Sequence, residues 1–212
     1  MNIYAWVLLG AFTVAALADW AAVAQRRPDL ESVAKPAVLV ILILLAWLLR
    51  ADSVDYGNQL LIGLVLCLIG DVLLLGRSDR HFLAGLIAFL LAHVAYIAAF
   101  RRIPGEGPIW WGVIAVAVLG VVVILTKVLP IVRASGRDGI PLVVYALVVG
   151  GMAALAWATG LPVVGIGATL FLASDALIAY DRFARPLAWG HVVVHITYHL
   201  GQLLIVLGML RT

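Results

Sequence analysis

The sequence predicts an all-α, polytopic membrane protein built as a bundle of eight transmembrane helices. Two observations carry that expectation. Only 12% of the 212 residues are charged and 65% are hydrophobic, with a mean hydropathy of +1.15, whereas a soluble domain carries about 25% charged residues. The apolar residues also come in runs long enough to cross a bilayer, which takes about 20 residues per helix. Membrane barrels alternate apolar and polar residues along each strand. These runs do not alternate, so helices are the expected spanning element.

The runs fall at 3–24, 36–49, 59–76, 82–100, 109–129, 140–158, 162–180 and 187–210. The first follows Met1-Asn2-Ile3-Tyr4, which lacks the basic stretch of a cleavable signal, and is expected to be a retained span. The second is short and opens at Lys35-Pro36. The third carries Gly70-Asp71 near its end, and the fourth has His93 in its middle. The sixth begins with Pro141 and Tyr145, the seventh holds Asp175, and the eighth contains three histidines. Gly70, Gly150-Gly151 and Gly165–Gly167 are small enough to let helices approach closely. The connections are short and several carry breakers, among them Pro28, Pro104-Gly105 and Gly136. None could fold as a separate soluble domain, so residues 1–212 are expected to form a single domain. The tryptophans cluster near the ends of the runs, as an interfacial belt does.

Charge sets the expected orientation. One side of the bundle holds Arg26, Arg27, Lys35, Arg77, Arg80, Lys127, Arg133, Arg137, Arg182 and Arg185, and the other holds Arg50, Arg101, Arg102 and Arg211. The positive-inside bias places the richer side in the cytoplasm of a cell membrane and both termini outside. The net charge of +3 arises in these loops, so it points to the lipid bilayer and away from nucleic acid. Cys67 is the only cysteine, which excludes an internal disulfide.

Three acidic residues lie inside apolar runs: Asp19, Asp71 and Asp175. They fall on the first, third and seventh runs, each five or six residues before its end. At 1.5 Å per residue this is roughly 8–9 Å inside the membrane edge. A carboxylate in hydrocarbon costs about 2.5–3.5 kcal/mol, so it faces the bundle interior and marks function more often than packing. Asp71 and Asp175 are read as functional, and Asp19, near the end of the first helix, as a packing residue. His191, His195 and His199 are spaced four apart and are expected to stack on one helix face. With His93 or an aspartate they could hold zinc, although interhelical hydrogen bonding is the preferred account.

An internal match accompanies the acids. Asp71-Val-Leu-Leu precedes His93-Val-Ala-Tyr96, and Asp175-Ala-Leu-Ile precedes His195-Ile-Thr-Tyr198. Both stretches join an outward-to-inward helix, a basic loop and a returning helix. This pattern hints at two parallel four-helix halves, which would bring Asp71 and Asp175 to a common cavity with His93, Tyr96 and Tyr198.

The same residues resemble a known family. Lys35-Pro36, Gly70-Asp71, and the run Phe82, Gly85, Phe89, His93, Tyr96, Phe100 are followed by Pro141, Tyr145, Gly167, Phe171, Ser174-Asp175 and Phe183. Tyr198, Gln202, Leu203, Leu204 and Gly208 complete the set. Taken in this order over nearly the whole chain, they resemble the YhhN-like lysoplasmalogenases. His191, His195 and His199 stand outside that pattern. The resemblance implies an eight-helix membrane hydrolase that cleaves the vinyl ether of a lysoplasmalogen, or a related lysolipid, to a fatty aldehyde and a glycerophospho-alcohol. Asp71 and Asp175 would be its catalytic acids, and its partner would be a membrane lysophospholipid.

The chemistry suits two carboxyls. A vinyl ether is hydrolysed by protonation at its β-carbon, addition of water to the oxocarbenium ion, and collapse of the hemiacetal. One group must donate a proton and another must stabilise the cation or activate water, a division of labour glycosidases achieve with two carboxyls. No metal or other cofactor is required. Lys35 is a candidate for the lipid phosphate or a plain positive-inside anchor. His93, Tyr96, Tyr198 and Gln202 are candidate supporting groups, while Tyr145 is read as packing. Ser174 is no convincing nucleophile, since no Gly-x-Ser-x-Gly elbow surrounds it. Two alternatives remain at this stage. One is a zinc-dependent lipid amidase using His191, His195, His93 and an aspartate. The other is a proton-coupled transporter relaying protons through Asp71 and Asp175, which the scarcity of polar residues for a through path disfavours.

Overall fold

A computed structural model describes residues 2–49, 51–76, 78–103, 107–123, 140–183 and 187–210. Among these residues there are eight α-helices, one short 3-10 turn at Ala51–Ser53, and no strand. The helices are α1 (Ile3–Ala24), α2 (Pro28–Leu48), α3 (Gly57–Leu74), α4 (Asp79–Phe100), α5 (Trp110–Val123), α6 (Ile140–Ala158), α7 (Pro162–Phe183) and α8 (Gly190–Leu210). All but α5 are long and apolar enough to cross a membrane, and α5 is apolar over its 14 described residues. Large aliphatic side chains such as Val14, Ile62, Leu91, Val118 and Leu147 are exposed, as expected of surfaces that face lipid. The chain is an all-α, multi-pass membrane protein.

The helix starts differ from the sequence expectation for a local reason. The second helix begins at Pro28, not Pro36. Pro28 takes the first helical position, where its missing N–H is no loss, and Asp29 and Glu31 in the first turn complement the helix dipole. These two turns are polar, so hydropathy alone assigns them to a loop, but a helix does not stop at the membrane edge. Lys35-Pro36 therefore lies inside α2 and does not open it. Likewise α4 begins at Asp79 because the Ser78 side chain caps it, accepting from the His81 backbone N–H at 3.3 Å. Measured from the observed ends, Asp19 lies five residues before Ala24, Asp71 three before Leu74 and Asp175 eight before Phe183. The equal spacing seen in the hydropathy runs is not kept by the helices themselves. Residues 124–129 of the fifth run, the breakers Pro104, Gly105 and Gly136, and Arg50, Arg77, Lys127, Arg133, Arg137, Arg185 and Arg211 of the charge count lie outside the described residues.

The chain divides into two compact units, one spanning Met1–Ile103 with Val206–Thr212 and the other Pro104–Ile205. In the first, α1 packs on α2, α2 on α3 and α3 on α4. The α3–α4 pair meshes aromatic rings against glycines. A Cβ on Gly63 would meet the Tyr96 ring at 2.8 Å, and one on Gly70 would meet the Phe89 ring at 2.7 Å. The Tyr56 hydroxyl donates to the Met209 carbonyl at 2.9 Å, tying the end of α8 to the turn before α3.

In the second unit, α5 packs on α6 and α6 on α7. Helices α7 and α8 touch backbone to backbone: a Cβ on Gly167 would lie 2.8 Å from the Gly201 carbonyl oxygen, and one on Gly201 equally close to the Gly167 oxygen. Small residues permit such contact where bulkier ones would force the helices apart. Gly150 and Gly151, expected to serve the same purpose, meet nothing within 4 Å. Trp157 is buried and donates its indole N–H to Thr169 at 3.0 Å, so it packs helices, while Trp6, Trp47, Trp110, Trp111 and Trp189 are exposed near helix ends.

Candidate functional site

In the first unit, a charged group is built from three helices whose directions alternate. The ends α1 approaches, α2 leaves and α3 approaches therefore lie on one side. Asp19 is near the end of α1, Lys35 near the start of α2 and Asp71 near the end of α3. The Lys35 ammonium stands 3.4 Å from Asp71 Oδ1. Asp19 lies on the neighbouring helix α1, which packs on α2. All three are buried, with 0% of Asp19, 7% of Lys35 and 1% of Asp71 exposed. A pair this deep is not a surface anchor. Taking two charges out of water is costly, and only close mutual pairing offsets it. Lys35 is thus a buried group paired with Asp71, and not the plain surface anchor of the second sequence expectation.

His93 and Tyr96 lie in the same unit, on α4, and both are fully buried. His93 Nδ1 is 2.6 Å from the Phe89 carbonyl one turn back. A carbonyl only accepts, so Nδ1 carries the proton, and in the neutral ring Nε2 is then an acceptor. The Tyr96 hydroxyl sits 4.0 Å from Cys67 Sγ, and its ring stacks on Phe100 with centroids 6.2 Å apart.

The second unit holds Asp175, 8% exposed. Its Oδ2 accepts a hydrogen bond of 2.9 Å from the Tyr145 hydroxyl on α6. Tyr145 is therefore a polar partner of the acid as well as a packing residue. Next to it, the Ser174 hydroxyl donates to the Val194 carbonyl at 3.2 Å and joins α7 to α8. Tyr198 meets Phe171 edge-on with centroids 5.3 Å apart. His195, Tyr198, His199 and Gln202 form a buried stripe along α8, and the His195 and His199 rings are 6.0 Å apart.

His191 does not join that stripe. Its side chain is 76% exposed, with Nε2 3.6 Å from Asp181 Oδ2. Asp181 Oδ1 meanwhile accepts from the Leu187 backbone N–H at 2.8 Å. A spacing of four residues turns a helix by slightly more than a full turn, and at the first turn of α8 that face reaches solvent. Among the described residues no group of three or more His, Cys, Asp or Glu side chains is arranged to hold a metal ion. His191, which a zinc amidase would use with His195, is exposed while His195 is buried.

Sequence reasoning missed two partnerships. Tyr145 was one turn beyond Pro141, on the helix before Asp175, but nothing in its spacing singles out a hydrogen bond across helices. Asp19 and Lys35 did leave a signal. Asp19 precedes Ala24 by five residues and Lys35 follows Pro28 by seven, so the two flank the turn between α1 and α2 at similar depths.

Comparison with known proteins places the chain among named relatives. Human lysoplasmalogenase TMEM86B is 35% identical over 156 residues, which cover 73% of this chain and 65% of that protein. Bovine lysoplasmalogenase TMEM86A is 28% identical over 166 residues, covering 74% of this chain and 67% of its own length. Mouse lysoplasmalogenase TMEM86B is 29% identical over 174 residues, covering 81% and 72%. No solved structure matches the chain. The YhhN family model matches residues 30–209, from the first turn of α2 almost to the end of α8, and on that extent the chain belongs to the YhhN family.

Proposed function

We propose that this protein is an integral membrane hydrolase that cleaves the vinyl ether bond of a lysoplasmalogen, or of a closely related lysolipid. The similarity to proteins named lysoplasmalogenases supports the substrate class. The single structural observation that carries the chemistry is the buried ion pair between Lys35 and Asp71. It keeps a carboxylate inside an apolar bundle, where a developing cation would feel it strongly because little water screens it.

The reaction follows from the groups. A proton is delivered to the β-carbon of the vinyl ether, and the electron pair of the double bond forms the new C–H bond. The α-carbon and ether oxygen then share a positive charge. Asp71 stabilises that oxocarbenium ion and takes a proton from the water that adds to the α-carbon. The hemiacetal breaks its bond to the glycerol oxygen, which leaves with a proton. One water is consumed, and a fatty aldehyde and a glycerophospho-alcohol result. Asp175, held by Tyr145, is the second required carboxyl in this proposal. His93, Tyr96, Tyr198 and Gln202 are supporting groups that line the buried faces of α4 and α8. The mechanism needs no metal.

The decisive experiment incubates purified protein with a panel of lysolipids carrying vinyl ether, alkyl ether or acyl chains. Release of aldehyde from the vinyl ether alone is expected. Release of fatty acid or amine, with no aldehyde, would end the proposal. The orientation is part of the same reading, with both termini outside the cytoplasm of the cell membrane. A reporter fused after Thr212 is expected to be active outside, and cytoplasmic activity would reverse the orientation.

A further inference from the structure

Asp19 lies before residue 30 and so outside the stretch on which family membership rests. Yet its side chain is fully buried on α1, and α1 packs against α2, the helix whose Lys35 ammonium pairs with Asp71. An acid in a membrane-spanning helix is seldom retained without use. Its use here follows from the geometry of Lys35. A lysine carries its charge on a flexible four-carbon stem with three rotatable donors, so the position of its ammonium is set by whatever carboxylates surround it. Lys35 rises from α2 with Asp19 on one neighbouring helix and Asp71 on the other.

We propose that Asp19 is a positioning residue, which shares the Lys35 ammonium with Asp71 and thereby limits how tightly Lys35 holds the Asp71 carboxylate. Pulled from both sides, the ammonium keeps Asp71 charged within the apolar bundle without occupying it fully. When Asp19 loses its charge, the pull from α1 goes and the ammonium settles on Asp71. That carboxylate is then less available to a cation or a water. The effect falls on the chemical step and spares lipid binding. This inference rests on the proposed hydrolysis for its kinetic consequence, while its physical core, the coupling of three buried charges, does not.

The test uses full-length protein in detergent and two separate readouts. Asp19→Asn keeps the volume and is expected to lower kcat about tenfold or more, with KM for a vinyl ether lysolipid within about threefold, the pattern of an interaction made in the transition state. In a Lys35→Gln background the same Asp19→Asn change is expected to have little further effect on kcat, because the shared ammonium is gone. Asp19→Glu, which restores the charge, is expected to recover part of the rate. Equal loss from Asp19→Asn in both backgrounds, or no loss in either, would overturn the inference. The second readout is thermal unfolding, and it holds even if wild-type protein releases no aldehyde, a result that would sink the hydrolase proposal alone. The Tm coupling between Lys35→Gln and Asp71→Asn is expected to be larger when Asp19 is Asn than when it is Asp. An identical coupling in the two backgrounds would refute the sharing of Lys35.

Discussion

The bond between Tyr145 and Asp175 allows stability and chemistry to be separated by two variants that change a single atom or group each. The hydroxyl donates to Oδ2 over 2.9 Å, and both side chains are buried. Tyr145→Phe removes the donor and nothing else. The acceptor then keeps its cost of desolvation without that partner, and losing the partner of a buried acceptor costs about 1–3 kcal/mol. The unfolded fraction should therefore rise by a factor of about 5 to 150, since 1.4 kcal/mol is tenfold. Asp175→Asn does the reverse. The amide oxygen can still accept from Tyr145, so the bond survives, and the loss of stability should stay within about 1 kcal/mol. The titrating group, however, is gone, and the rate of aldehyde release should drop at least about 10²-fold, the lower range for general acid–base catalysis. Thermal unfolding in detergent reads the first quantity, and mass detection of aldehyde reads the second. The reasoning fails if Tyr145→Phe is as stable as the wild type, or if Asp175→Asn retains full activity.

Three further outcomes follow from other parts of the structure. Asp71→Asn leaves the Lys35 ammonium buried without the carboxylate 3.4 Å away. It should lower activity at least about 10²-fold and stability by about 3 kcal/mol, the low end for breaking a buried pair because Asp19 remains; thermal unfolding and aldehyde release check both. Gly201→Leu places atoms where the Gly167 carbonyl already lies within 2.8 Å of a Cβ. It should destabilise the protein by about 1–3 kcal/mol as an overpacked contact does, whereas Gly150→Leu, in open space, should cost less than about 1 kcal/mol by the same melt. His191→Ala and treatment with a chelator should each leave aldehyde release unchanged, and loss of activity on chelation would argue for a metal the proposed mechanism does not include.

Much of the fold was legible because membrane helices are written in composition. The first and sixth runs match α1 and α6 at both ends, and at the start of α1 the change from polar to apolar coincides with the Asn2 side-chain cap. The second run failed by eight residues because Pro28, Asp29 and Glu31 are strong signals for a helix start that hydropathy does not count. The glycines show the same division. Gly70 and Gly167 were rightly expected at close contacts, but Gly150 and Gly151 look identical in sequence and meet nothing. Which face of a helix a small residue occupies is decided by its neighbours, and a composition argument has no access to them.

The candidate site divides along a different line. Burial of Asp71 and Asp175 could be argued from cost alone, because a carboxylate in hydrocarbon is expensive wherever it sits, and both are buried. The identity of their partners could not, because pairing is a property of geometry between helices. Lys35 is the instructive case. By position it belongs to the side of the bundle that the charge count reads as the basic one. Its neighbours in sequence, Ala34 and Pro36, say nothing about an acid on α3. What turns an orienting charge into a site residue is that α2 begins two turns earlier than its hydropathy suggests. Those two turns carry Lys35 away from the helix start and into the level where Asp19 and Asp71 face inward. A lysine at the first turn would have remained in the loop and in water. The same residue two turns inside the helix is buried, must find a carboxylate to offset its desolvation, and finds Asp71 at 3.4 Å.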